Sequence, residues 1–277
     1  MENLLETNRF EFIEAVDIDR LTKAVIEKYN FNLQNYSASF LNRRIVVSMQ
    51  KNKISNVNEL LNRLNDNTFF NSFISDMSVN GTEFFRDISV WKNIITLLIE
   101  NFNSNKEFTV WFPNCANGEE LYCFMYILKQ YGFYDNCKVV ASNVSSERIE
   151  IIKTGLFEGK NENFDLFNFN KMGFSISEST FFKTIDTAIQ LDKKLLQNVE
   201  FITTNQTPLV ETNTFDLVFS RNIMLFYNKE FQKELEDIIY NSLKEDGKLI
   251  IGINEQLINQ VVKFKLINIE DKIYQKI

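Results

Sequence analysis

The chain has no histidine among its 277 residues. That absence excludes Ser-His-Asp and Cys-His nucleophiles, imidazole-based zinc sites and a histidine pH switch. Glycine and proline are almost as scarce, at 8 and 2 residues, against ordinary usage of about 7% and 5%. Few loops can rest on glycine geometry, so each glycine is a position to inspect. The three cysteines, Cys115, Cys123 and Cys137, form no CxxC pair. A structural zinc or a thioredoxin-like motif is therefore not expected, and the sparse, odd count fits a reducing cytoplasm. The start, Met1–Glu6, lacks a basic region followed by a long apolar stretch, so no signal peptide is expected. No apolar run approaches the roughly 20 residues of a membrane span.

What is abundant is phenylalanine, 27 residues, in a composition otherwise ordinary for a globular protein, 44% hydrophobic and 24% charged. A net charge of −7 argues against bulk nucleic-acid binding. The charge is uneven. Lys28 to Asn58 contains no acidic residue but carries Lys28, Arg43, Arg44, Lys51 and Lys53. Such a stretch either receives an acidic partner or forms a solvated helix face.

Hydrophobic periodicity predicts helices through residues 8–77. Phe12, Ile13, Val16, Leu21, Val25 and Ile26 mark the first, and Tyr36 to Met49 a second with Ser37 as its cap. Shorter helices fall at Val57–Leu64 and Thr68–Met77. A break at Ser78–Gly81 precedes a helix over Val90–Asn101. Beyond Lys106 the character changes. Strands are predicted at Phe108–Phe112, Lys138–Ser142, Phe201–Thr203, Phe215–Ser220 and Lys248–Ile253, with Asp246-Gly247 as a break before the last. Helices open at Glu119, at Ser145 or Ser146, and at Lys229. Two closing strands fall at Phe264–Ile267 and Lys272–Ile277. Strands alternating with helices imply a mostly parallel sheet covered on both faces. The interval 157–195 interrupts the rhythm with Phe174–Ile176 and Ala188–Leu191, and reads as a small β-containing insertion.

In such a sheet, ligands sit beyond the C-terminal strand ends. The first strand runs into Asn114-Cys115-Ala116-Asn117-Gly118-Glu119-Glu120, and the second ends at Asn143. The segment Asn80-Gly81-Thr82-Glu83-Phe84-Phe85-Arg86-Asp87 resembles the Asn-x-Thr-x-Phe-Phe-Arg motif of the CheR family, the chemotaxis receptor methyltransferases. Asn114–Glu120 is similar to that family's Gly-Cys-x-x-Gly-Glu-Glu loop, and Phe215–Asn222 to its Phe-Asp-x-x-Phe-Cys-Arg-Asn strand end. Leu249–Leu257, with Gly252 and Glu255, and Ile273–Lys276 resemble its closing strands. The resemblance runs in order over roughly residues 10 to 277.

It implies an α/β fold: a Rossmann-like methyltransferase domain (78–277) with a small β insertion (157–195), behind an all-α N-terminal domain (8–77). It implies S-adenosyl-L-methionine as cofactor and S-adenosyl-L-homocysteine as product. The implied reaction is methylation of glutamate side chains on receptor cytoplasmic helices by a cytoplasmic monomer, without nucleic acid or membrane insertion. By position, Asn80, Thr82, Asn114, Gly118, Glu119, Asn143, Asn205, Gln206 and Asn222 would contact the cofactor. Arg86 and Arg221 would be catalytic and would also contact the cofactor, Arg86 near the methyl group where it helps to position the substrate carboxylate, and Arg221 lining the reaction pocket. Arg43 and Arg44 fall where the family's helical domain meets its receptor. Asn114 stands at the loop's first glycine, Asn143 at the ribose acid, and Phe226 at a tyrosine of the family pattern. These three substitutions support an alternative, a non-catalytic or weakly cofactor-binding signalling relative.

Overall fold

The computed structural model describes residues 12–77, 83–102, 106–158, 162–174, 182–185, 188–207 and 211–277. Asn80, Thr82, Ser175, Ile176 and the expected break at Ser78–Gly81 lie outside them. The chain divides into two compact units, Met1–Ser78 with Phe226–Gln232, and Val79–Leu225 with Lys233–Ile277.

The first unit is helical. It contains α1 (Ala15–Tyr29), α2 (Ala38–Lys51), α3 (Val57–Arg63) and α4 (Asn67–Met77). Leu41, Ile45 and Met49 recur every four residues along α2, and all are buried with Leu21, Val25, Leu60 and Phe73. That spacing places them on one stripe. Ser37 stands at the cap position of α2, but its side chain makes no capping bond. Tyr227 belongs to this unit. It is buried, its ring stacked 5.2 Å from Tyr36, while Phe226 packs 4.8 Å from Phe40.

The second unit opens with α5 (Ile88–Asn101), β1 (Phe108–Phe112), α6 (Glu119–Gln130), β2 (Cys137–Asn143) and α7 (Ser146–Thr154). There follow β3 (Leu156–Glu158), α8 (Glu162–Lys171), β4 (Phe182–Ile185), β5 (Ala188–Leu191) and β6 (Val199–Thr203). It closes with β7 (Phe215–Ser220), α9 (Lys229–Ser242), β8 (Leu243–Ile251), α10 (Gln260–Lys263), β9 (Phe264–Asn268) and β10 (Ile273–Lys276). The first turn of α9 falls in the helical unit. The seven-stranded sheet has the order β6-β2-β1-β7-β8-β10-β9. Its first five strands pair in parallel, and β10 runs antiparallel to both neighbours. Successive residues of β1 and β7 are buried, including Val110, Trp111 and Phe112, and Leu217, Val218 and Phe219. Both faces of the central strands are therefore covered.

The phenylalanines pack on one another. Phe112 stacks on Phe219 at 4.6 Å and 5°, and Phe124 lies 4.9 Å from Phe219. Offset and edge-on pairs like these add about 0.5–1.5 kcal/mol each beyond area burial. In the insertion, β3, β5 and β4 form a three-stranded antiparallel sheet. Helix α8 was not anticipated from sequence. Its Phe169 packs 4.8 Å from Phe85, so the insertion completes the packing around the Phe-Phe-Arg segment.

Strand β8 departs from expectation. It starts at Leu243, not Lys248, and ends at Ile251. Asp246-Gly247 lies inside it, with Asp246 left-handed at φ 62° and the register shifting opposite Phe215 and Leu217. Turn-forming residues here make an irregularity within a strand, because Leu243 still pairs with Phe215 across it.

Candidate functional site

The C-terminal ends of β1, β2 and β7 carry most of the described candidate residues. Gly118 ends the β1 loop at φ 98°, and a Cβ there would meet Ile152 Cγ2 at 2.8 Å. Only glycine meets both demands. Asn114 is not left-handed. The positive φ falls at Ala116, 46°, and Gly118. Asn114 therefore does not replace a glycine conformation. Its Oδ1 accepts from the Ala116 N–H at 3.0 Å, closing an Asx turn. Cys115 is buried, and burial pushes its thiol up to about 12.

Asn143 is buried beside this loop. Its Nδ2 donates to the Ala116 carbonyl at 3.0 Å, and its Oδ1 accepts from the Ser145 N–H at 3.0 Å. An aspartate would lack the donor that Ala116 uses. The amide thus ties the two strand-end loops together. Glu119 is buried in the first turn of α6, and Ser145 caps α7 through the Arg148 N–H. Gln206 is buried. Asn205 is exposed, its Oδ1 accepting from Thr207 in a turn.

Arg221 and Arg86 differ sharply. The Arg221 side chain is 1% exposed. It donates to Asp87 at 2.6 Å and to Glu120 at 2.5 Å, and lies 5.9 Å from the Trp91 ring. Its charge is answered by two carboxylates. Glu120 is therefore not merely an acid at a helix start, and Asp87 pairs with Arg221. Burial pushes the Glu120 carboxyl above its ordinary value, against the pull of Arg221. The Arg86 side chain keeps 37% exposure, with Glu83 at 3.8 Å, a long ion pair.

Asn222 is left-handed at φ 56°. Glu255 holds it there. This buried carboxylate accepts from the N–H groups of Gly252 at 2.6 Å, Asn222 at 2.7 Å and Met224 at 2.8 Å. Burial raises Glu255 and the backbone donors lower it, with the net shift upward. A Cβ on Gly252 would lie 2.4 Å from Asn222 Oδ1 and 2.8 Å from Glu255 Oε2, so this glycine too is a close approach. In the sequence Glu255 stands out only as a letter of the closing-strand motif. Its signal was an acid three residues beyond a strand-ending glycine.

Arg43 and Arg44 lie on α2. Arg43 is exposed. Arg44 is half-buried and donates to the Asp76 carbonyl, while Lys51 pairs with the Asp76 carboxylate at 2.6 Å. Lys28 donates to the Asn65 carbonyl. The basic stretch is thus narrower than its sequence suggests, because Asp76 and backbone oxygens engage three of its cations.

A sheet of this order, with a small-residue loop after β1 and polar groups at three strand ends, defines a Rossmann-like methyltransferase domain following an all-α unit. Residues 80–273 match the SAM-binding domain of CheR methyltransferases, and residues 16–78 match their all-alpha domain. The chain belongs to the CheR methyltransferase family, whose cofactor is S-adenosyl-L-methionine. It is 23% identical over 273 residues to the chemotaxis protein methyltransferase of Borreliella burgdorferi, covering 91% of this chain and 94% of that protein. The chemotaxis protein methyltransferase of Listeria monocytogenes is 22% identical over 243 residues, 86% of this chain and 89% of that one. That of Campylobacter jejuni is 23% identical over 215 residues, 76% and 78%. Among the described residues no helix is long and apolar enough to cross a membrane.

The donor set fits the cofactor. Among the described residues, Asn117 Oδ1 in the β1 loop and Ser220 Oγ at the end of β7 are buried polar atoms without a hydrogen-bond partner. Buried polar atoms left so are uncommon, and a polar ligand or a water at the strand ends would complete their bonding.

Proposed function

We propose that the chain methylates glutamate side chains of chemotaxis receptors. The observation that carries this reading is the partly exposed Arg86 guanidinium at the end of the Phe-Phe-Arg segment. A planar guanidinium suits recognition of a carboxylate through two parallel hydrogen bonds. The relatives named as chemotaxis protein methyltransferases support the substrate class.

The chemistry suits a chain without histidine. A glutamate side chain, with its ordinary pKa near 4.3, is ionised at neutral pH and needs no general base. The cofactor, when bound, would supply a methyl group on a sulfonium, whose neutral thioether, S-adenosyl-L-homocysteine, is a good leaving group for in-line displacement. The chain's residues then bind, orient and exclude water. Asn80, Thr82, Asn114, Gly118, Glu119, Asn143, Asn205, Gln206 and Asn222 would hold the cofactor. Arg86 would align the acceptor carboxylate. Arg221 enters as the partner of Asp87 and Glu120. The exposed Arg43 on α2 would meet an acidic receptor helix, with Arg44 behind it, and the division into domains at 8–77 and 78–277 would separate docking from transfer.

The side chain of Asn143 favours a second reading. Its two amide hydrogens point to the Ala116 carbonyl and to Cys115 Sγ rather than to a ribose hydroxyl, as in a relative that binds cofactor weakly. Calorimetry with S-adenosyl-L-homocysteine separates the two. Micromolar binding is expected of the enzyme, and no heat at millimolar ligand would exclude it. Transfer of labelled methyl to receptor glutamates, as base-labile esters, then tests the activity itself.

A further inference from the structure

The backbone around Arg86 is unusual. Phe85 lies at φ 50° and Asp87 at φ 59°, so left-handed residues flank Arg86 on both sides. For a bulky residue such as phenylalanine this region is an outlier. Conformations of this kind persist only where the surroundings over-determine them, and they concentrate at functional sites.

Four elements do this, three of them distant in sequence and one, α5, directly following. The Phe84 carbonyl accepts from Asn168 Nδ2 of α8 at 2.8 Å. The Phe85 N–H donates to Cys123 Sγ of α6 at 3.1 Å. The Arg86 carbonyl accepts from Trp91 Nε1 of α5 at 2.9 Å and from Arg221 at 3.3 Å. The Asp87 carboxylate is bonded to the same Arg221 guanidinium, which is held on its other side by Glu120. Arg221 thus grips both the residue after Arg86 and the carbonyl of Arg86 itself. Its own side chain is almost wholly enclosed.

We propose that Asp87, Glu120 and Arg221 form a positioning triad that sets the backbone on both sides of Arg86, and so the direction of its guanidinium, without themselves touching the methyl group or its acceptor. The proposal rests on the assignment of Arg86 to the acceptor carboxylate. It reassigns Arg221 from contact to support, and it gives roles to Asp87 and Glu120. A cation whose two terminal nitrogens already bond carboxylates is a poor receptor for a third. Held rigidly, the same cluster keeps a strained turn in one conformation.

Three variants test this. Asp87→Asn keeps a side chain that tolerates the left-handed region but removes the charge. Glu120→Gln removes the second carboxylate. Arg221→Lys keeps the charge and loses the two-sided fork. Two readouts are combined. The first is the Arg86 Nε–H resonance of the full chain without substrate, assigned through Arg86→Lys. We expect it displaced in all three variants, including the charge-conserving Arg221→Lys. The second is methyl transfer to a receptor peptide. We expect kcat to fall about 10–100-fold, the cost of a small misplacement, while KM for cofactor and its product's affinity stay within about threefold. An unmoved Arg86 resonance in Arg221→Lys overturns the proposal. So does unchanged kcat, or a loss of cofactor affinity as large as the loss of kcat, which would make Arg221 a contact. A variant that unfolds is set aside for the other two. A displaced resonance with no transfer by the wild-type chain overturns the glutamate reading and not the triad.

Discussion

Two neighbouring strand ends of the same sheet are held in different ways. At β1 the loop is closed by neutral groups: the Asx turn of Asn114, and the Asn143 amide on Ala116 and Ser145. At β7 the turn is closed by ions: Arg221 between Asp87 and Glu120, and Glu255 beneath three N–H groups. Neutral hydrogen bonds contribute about 1 kcal/mol each and can be exchanged for bonds to a ligand. A buried charge stripped of its partner costs several times more. The β1 end is therefore the side that can re-form its bonds around a cofactor. The β7 end is a fixed wall.

Five measurements would break or sharpen that contrast. Arg221→Ala leaves two carboxylates unanswered and should lower unfolding free energy by about 3–5 kcal/mol; denaturant unfolding showing a loss under 1 kcal/mol would remove the fixed wall. Arg86→Ala should leave the melting temperature near wild type while turnover falls about a hundredfold or more, the scale of losing a preorganised charge contact. Wild-type rates there would refute its assigned role. Gly118→Ala brings a Cβ within 2.8 Å of Ile152 Cγ2 at φ 98° and should destabilise by about 1–3 kcal/mol; thermal unfolding of the full chain checks it, and an unchanged transition would mean that the β1 loop yields easily.

Asn143→Asp has two opposing effects. Loss of the bond to Ala116 should cost about 1 kcal/mol of stability, while a charged acceptor toward a ribose hydroxyl should tighten product binding about tenfold. Unfolding and calorimetry on the same variant separate them, and unchanged affinity would contradict the ribose placement. The smallest effect concerns pH. Glu255 has a folded pKa raised by burial. Between its ordinary value near 4.3 and that raised value the folded state binds more protons than the unfolded chain. Its contribution to stability is therefore present at acid pH and declines as pH rises through the folded pKa. Relative to Glu255→Gln, the wild type should lose stability as pH rises through that window. The opposite slope would reverse the sign assigned to its burial.

Much of the architecture was legible in the sequence. Phe108–Phe112 and Phe215–Ser220 are strands to the residue, because a short continuous apolar run is itself the mark of a central strand buried on both faces. The CheR motifs were legible for the same local reason. Glu255, Asn168 and α8 were not read, since a lone acid or amide carries no sign of which backbone donors or acceptors will surround it. Asn114 stands where the family pattern has a glycine, and asparagine tolerates a left-handed turn. The loop instead assigned that conformation to Ala116 and Gly118.

The scarcity of glycine takes on a physical meaning with the coordinates. Gly118 and Gly252 stand where a side chain would strike Ile152, or Asn222 and Glu255. By itself the sequence determined the order of the main-sheet strands and their connecting helices, the absence of histidine chemistry and the family, because these depend on composition and on neighbours a few residues apart. Only the tertiary structure decided which arginine is enclosed and which stays half-exposed. Arg221 meets Asp87 and Glu120 from 134 and 101 residues away, and charges so separated find one another only when the sheet brings its strand ends together.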